Sequence, residues 1–128
     1  MPAKVVDAST VAAFAFRESR HEEAKNVLTD SELRAPSLLP YELASIAKNK
    51  IIAHTEEAPE LIKAFRMALA LPIQLYEVEQ TEVLRTAIES NISTYDACYL
   101  YLAKKLGVSL VTFDKQLAKA ARLHNVKL

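Results

Sequence analysis

Apolar residues along the chain fall into short β-branched runs and longer stretches with helical spacing, and the two kinds alternate. Ala3-Lys4-Val5-Val6 is the first run and stops at Asp7. Ser9 or Thr10 then caps a predicted helix through Phe16, carrying Val11, Ala12, Phe14 and Ala15. A second helix is expected over about 20–28, and Leu33-Arg34-Ala35 reads as a short strand that Pro36 ends. Pro40 suits the first turn of a third helix reaching about residue 53. Thr55 is a cap for a fourth helix, with Pro59 in its first turn and Leu61, Ile62, Phe65 and Leu69 on one face. Residues 73–78 read as a strand and 79–89 as a fifth helix. Ser93 caps a sixth helix over 94–106, which Gly107 closes as the left-handed residue beyond its end. Val108-Ser109-Leu110-Val111-Thr112 is the clearest strand, Asp114 caps a last helix to about residue 122, and Val126-Lys127-Leu128 is expected as a final short strand.

Every strand-to-strand connection in this series is too long for a hairpin, so the strands run parallel with helices on both faces. The expected fold class is α/β, a three-layer α/β/α sandwich, with residues 1–128 forming one domain. Composition then removes function classes. A 51% hydrophobic and 25% charged content is that of a folded domain. The one glycine, Gly107, excludes a glycine-built phosphate cradle and with it the common nucleotide-binding sites. Sixteen Lys and Arg balance sixteen Asp and Glu, so no global positive field draws in nucleic acid, which counts against a passive nucleic-acid-binding module. Cys98 has no partner for an internal disulfide and reads as a small buried hydrophobe; no Cys/His cluster suggests zinc. The N-terminus lacks a signal-peptide pattern and no apolar run reaches the roughly 20 residues that span a bilayer, so a cytoplasmic protein with no membrane association is expected.

In parallel sheets of this kind, sites form at the carboxyl ends of the strands. Asp7 directly follows Lys4-Val5-Val6, and Asp114 follows Leu110-Val111-Thr112-Phe113. Glu42 lies in the first turn of an otherwise apolar helix, and Asp96 in the first turn of a helix with no other charge before Lys104. Each acid also has an ordinary reading. Asp7 and Asp114 can cap helices, Ser93 and Asp96 resemble a capping box, and Glu42 complements its helix dipole. Capping and coordination are compatible, because helix starts at strand ends gather along one edge. Four carboxylates brought together repel, and hard divalent ions relieve that repulsion; oxygen-only ligands point to Mg²⁺ or Mn²⁺ rather than Zn²⁺. An acidic pocket with no His, Cys or Ser nucleophile suits phosphodiester hydrolysis.

In order and spacing, Val5-Val6-Asp7-Ala8-Ser9, Tyr41-Glu42-Leu43-Ala44, Ser93-Thr94-Tyr95-Asp96-Ala97-Cys98-Tyr99 and Leu110-Val111-Thr112-Phe113-Asp114-Lys115-Gln116-Leu117 resemble the motifs of the PIN-domain family. The resemblance implies a metal-dependent ribonuclease, with Asp7, Glu42, Asp96 and Asp114 as catalytic and metal-binding acids and Mg²⁺ or Mn²⁺ as cofactor. It also implies pocket-shaping hydroxyls at Ser9 and Thr112. Small single-domain members of this kind are similar to VapC toxins, which implies an RNA substrate, a VapB-type antitoxin and a homodimer. Asn91-Ile92-Ser93 departs from the family in replacing a glycine-containing turn.

Other residues read more plainly. His21, His54 and His124 are expected at the surface, and Tyr95, Tyr99 and Tyr101 in core or subunit packing, favoured by their helical spacing over stacking on RNA bases. Arg17, Arg20, Lys48, Lys50, Lys115 and Lys119 are expected near the acidic edge, either as RNA-phosphate contacts or as solvated surface. A haloacid-dehalogenase-type phosphotransferase needs a second acid where Ser9 stands, and a receiver module needs adjacent acids where Val6-Asp7-Ala8 offers one. A non-catalytic PIN-like RNA- or protein-binding module is the other alternative.

Overall fold

Val5 and Val6 are wholly buried, which makes the strand they end, β1 (Ala3–Val6), the middle of the sheet rather than an edge. In this computed structural model, which describes residues 1–128, β1 pairs in parallel with β2 (Glu32–Pro36) on one side and β4 (Ser109–Val111) on the other. β3 (Ile73–Tyr76) completes the sheet beyond β2, giving the order β3-β2-β1-β4 with all neighbours parallel. Val5 stands opposite Arg34 and Leu110, and Val6 opposite Val111. The chain thus leaves β1 toward one side of the sheet and returns on the other. The carboxyl ends of β1 and β4 therefore flank the topological switch point, where such sheets place their ligands.

The helices divide into two layers by what they touch. α1 (Ala8–Ala15), α2 (His21–Thr29), α3 (Leu39–Ala53) and α4 (Ala58–Leu69) pack on one another, whereas α6 (Thr94–Leu106) packs between α5 (Gln80–Ser90), α7 (Lys115–Leu123) and the sheet. Val5, Val6, Val11, Leu100, Leu110 and Leu117, all fully buried, belong to one continuous core. A satellite of Val83, Ala87, Ala97 and Cys98 joins α5 to α6, so Cys98 is the small hydrophobe expected of it.

Three local expectations are corrected. α1 begins at Ala8 and is capped by Asp7, whose carboxylate accepts from the Thr10 N–H, so Ser9 and Thr10 lie inside the first turn. An ionised cap is the stronger acceptor, and Asp7 holds the extended backbone a cap requires. Thr55 opens a 3₁₀ turn (Thr55–Glu57) rather than capping α4, which starts at Ala58 with no side-chain cap and with Pro59 in its first turn. The tail at 126–128 is no strand: a single bond, from the Leu110 N–H to the Lys127 carbonyl at 2.8 Å, ties it to the sheet.

Two helix ends use left-handed residues. Gly107 (φ +69°) closes α6, and Asn91 (φ +53°) closes α5 and takes the place of the missing turn glycine. Asn is the side chain best suited to that conformation after glycine. Asn91→Gly should therefore hold or raise stability, whereas Asn91→Val should lose about 1–2 kcal/mol in urea denaturation.

Candidate active site

Asp7 is 4% exposed, yet both of its oxygens are occupied. Oδ1 accepts from the Ser9 hydroxyl at 2.8 Å, the Thr10 N–H at 3.1 Å and the Thr10 hydroxyl at 3.0 Å; Oδ2 accepts from the Thr112 hydroxyl at 2.5 Å. The two hydroxyls on the outer side are relays. Ser9 Oγ accepts from the Phe113 N–H at 3.2 Å, and Thr112 Oγ1 accepts from the Asp114 N–H at 3.0 Å. Asp7 thereby fixes the backbone that leads out of β4, and with it the position of Asp114. Asp114 in turn uses Oδ1 to cap α7, accepting from Gln116 and Leu117 N–H at 2.8 and 3.1 Å, while Oδ2 makes no hydrogen bond.

Glu42 stands in the first turn of α3 and accepts through Oε1 from the hydroxyl of Tyr99, 2.5 Å away. Tyr99 is 1% exposed on α6, so this bond links the two helix layers. Oε2 of Glu42 is left without a partner. In α6, Ser93 accepts from the Asp96 N–H at 3.0 Å, but the Ser93 N–H does not bond back to the Asp96 carboxylate. The capping box is half made, and the acid side chain is not tied to its own helix end.

These carboxylates act on one another. Burial, first, raises the Asp7 carboxyl above its ordinary value against the pull of its four donors. Burial also raises Glu42, opposed by the Tyr99 hydroxyl and reinforced by the charges of Asp96 and Asp7. Asp96 is raised by burial, then by Asp114 and Asp7, with the Ser93 hydroxyl opposing. Tyr99 is pushed far above the usual phenol range by burial and by Glu42. None of the four acids has a Lys, Arg or His ion-pair partner, although seven such pairs occur elsewhere in the chain. The charge at this edge is uncompensated by protein.

The chemistry of the donor set fits a hard divalent cation: all oxygen, all acidic, unpaired, and with free lone pairs on Glu42 and Asp114. No three of the four have oxygens within 4.8 Å of one another. The one group that does, His54, Glu56 and Glu57, is exposed at the opposite end of α3, about 18 Å along the helix from Glu42. That triad is a surface cluster at the start of a 3₁₀ turn.

Beside the acids, Arg20 lies 3.8 Å over the Phe113 ring and pairs with Glu23; Lys50, expected near the same edge, stands instead in the last turn of α3, lining a cleft with His54 and pairing with Glu18 at 2.6 Å. Arg17, Lys48, Lys115 and Lys119 make no ion pair. Of the histidines, only His54 is exposed. His21 stacks on Phe14 and bonds its carbonyl, and His124 bonds the Ser90 hydroxyl at 2.7 Å. The tyrosines separate: Tyr99 is core, Tyr101 half-buried, and Tyr95 is 60% exposed, which leaves subunit packing as the part of the expectation open to it. Sequence reasoning missed Thr10 as an Asp7 donor and Tyr99 as the Glu42 partner. The available signal for Tyr99 was its position three residues after Asp96, on the same helix face.

The PIN-domain family model matches residues 4–123. The chain belongs to the PIN-domain family. Within it, the chain is 32% identical over 120 residues to Ribonuclease VapC3 of Pyrobaculum aerophilum, covering 90% of this chain and 92% of that protein. The fold superposes on the crystal structure of PAE2754 from Pyrobaculum aerophilum with a TM-score of 0.76 at 25% identity, covering 93% of this chain and 86% of that one. It also superposes on Mycobacterium tuberculosis VapC20, a sarcin-ricin loop cleaving toxin, with a TM-score of 0.67 at 16% identity, covering 92% and 95%. The four-stranded parallel sheet between two helix layers is the PIN architecture.

Two predictions follow from the electrostatics. A carboxyl raised on folding binds its proton more tightly in the native state, so stability falls as pH rises from the ordinary carboxyl range through the raised value, and stays lowered above it. Metal-free Asp96→Asn should therefore melt above the parent at pH 7, with the gap closing as pH is lowered into that range. Tyr99→Phe removes the hydroxyl that orients Glu42 and should weaken Mn²⁺ binding about tenfold by calorimetry, with the fold kept.

Proposed function

We propose that this PIN-domain protein is a ribonuclease that cuts RNA phosphodiester bonds using Mg²⁺ or Mn²⁺ held by Asp7, Glu42, Asp96 and Asp114. The observation that carries the reading is a set of four mutually repelling acids at the carboxyl edge of the sheet without a single cationic side chain to neutralise them. The ribonuclease relative, matched over 90% of this chain, supports the same chemistry. When bound, a divalent ion supplies an activated water and offsets charge that builds on the phosphate. The chain's own residues do the positioning. Asp7 is clamped by Ser9, Thr10 and Thr112, Glu42 is oriented by Tyr99, and Asp114 is held at the start of α7.

The VapC relationship extends the reading to a toxin restrained by a VapB-type antitoxin, and to a homodimer acting in the cytoplasm. Exposed apolar side chains on α4 (Ile62, Met67, Leu69) and α5 (Leu84, Ile88) supply surface for such contacts. No helix is long and apolar enough to cross a membrane. A purely binding PIN-like module has no use for four retained acids, which disfavours that alternative.

Purified protein incubated with total RNA should cut it in Mg²⁺ or Mn²⁺ and not in EDTA. Asp96→Asn and Asp7→Asn should each lower the rate by at least about a hundredfold while circular dichroism stays native. Undiminished cutting by both variants would sink the four-acid site.

A further inference from the structure

Five tyrosines occur in the chain, and the two that are exposed are those adjacent in sequence to Glu42 and Asp96. Tyr41 is 76% exposed at the start of α3, and Tyr95 is 60% exposed at the start of α6. Neither hydroxyl makes a hydrogen bond within the chain, and the two rings do not stack on each other. A tyrosine joins an apolar ring to a polar tip, which suits it to contact surfaces. With Leu38, both rings line two adjoining clefts. One, of about 440 Å³, contains Glu42, Ala8, Ser45 and Ile46. The other, of about 270 Å³, lies beyond the carboxyl ends of β2 and β3, where Ser37, Glu77, Gln80 and Thr94 supply polar groups above an apolar floor of Val83 and Cys98. The first cleft includes one of the four acids, Glu42; the second holds none of them.

We infer that Tyr41 and Tyr95 form a nucleobase subsite: the base next to the scissile phosphate leaves its own stack, lies against these rings and enters the cleft lined by Glu77 and Gln80. The inference rests on the ribonuclease reading above and adds the form of RNA it acts on, a single strand or loop whose base is free to splay. Tyr41, Glu42 and Tyr95 line one cleft, so a strand held at Glu42 lies beside both rings. Base stacking suits the site because every base has an aromatic face. It also replaces electrostatic attraction in a chain whose net charge is zero. A protein segment would use the same apolar walls, but the mouth beside the acids is negative and the phosphates of RNA are what the divalent ions would hold there.

The test uses a short single-stranded RNA that the parent protein cuts, with an otherwise identical strand lacking the base beside the cut. Stacking contributes about 1–3 kcal/mol per base, so Tyr41→Ala and Tyr95→Ala should each lower kcat/KM on the intact RNA about 5- to 150-fold. Tyr41→Phe and Tyr95→Phe should stay near the parent. On the abasic strand the parent should fall to the level of the Ala variants, and the Ala substitutions should cost nothing more. In a binding arm, Asp96→Asn protein should quench an RNA carrying 2-aminopurine at that position, and adding Tyr95→Ala should abolish the quenching. Equal cutting of intact and abasic RNA by parent and Ala variants overturns the subsite and leaves the ribonuclease reading standing. If, in addition, the Ala variants sediment at a different mass from the parent, the face is a contact between copies. Failure of the parent to cut any RNA strikes the ribonuclease reading itself.

Discussion

The Asp7 carboxylate is the interaction on which the molecule's working edge depends. A carboxylate at 4% exposure is expensive to keep, and four donors within 3.1 Å offset that expense. Those donors come from two distant parts of the chain. Thr10 and Ser9 open α1, and Thr112 ends β4, so the same oxygens cap a helix and clamp the exit of a strand. Of the three buried polar residues in the protein, Asp7 and Thr10 meet here. Core polarity is concentrated where it positions the acids.

A second constraint balances the first. Asp7 and Asp114 are the caps of α1 and α7, and Glu42 and Asp96 lie in the first turns of α3 and α6. Four helix N-termini therefore face the same group of negative charges. The positive ends of their dipoles, each worth a few tenths to about 1 kcal/mol, partly counter the repulsion without adding any cationic side chain. Salt bridges would have neutralised the pocket; backbone dipoles ease it and leave the acids available. Helix capping and the gathering of the four acids are thus one arrangement seen from two directions.

Much of this was legible in the sequence because it is local. Asp7 after two valines, Asp114 after a strand-like run, Ser93 before an apolar helix and Gly107 after it each carry their meaning within a few residues. The element order and parallel sheet followed from the same patterns. What was not legible depends on contacts across long separations. Tyr99 and Glu42 are 57 residues apart, and a buried tyrosine in an apolar helix looks the same with or without a carboxylate above it. Tyr95 looked like Tyr99, and four positions along a helix return to nearly the same face; Tyr95 stands in the first turn of α6, ahead of its packed stretch, and Tyr99 one turn further in. The tail at 126–128 had strand-like residues, yet only its Lys127 carbonyl reaches the sheet, accepting from the Leu110 N–H, while the Val126 N–H bonds back to α7 at Ala121.

The order in which the strands join the sheet has a consequence for the protein's synthesis. β1 is made first but gains its second neighbour only with β4, and the Thr112 hydroxyl reaches Asp7 across 105 residues. A growing polypeptide that has emerged only as far as α6 has three of the four acids and β2 beside β1, but lacks β4 on the other flank and the Thr112 hydroxyl on Asp7 Oδ2. The pocket comes into being during the last stretch of translation, so a truncated or stalled chain lacks a working edge.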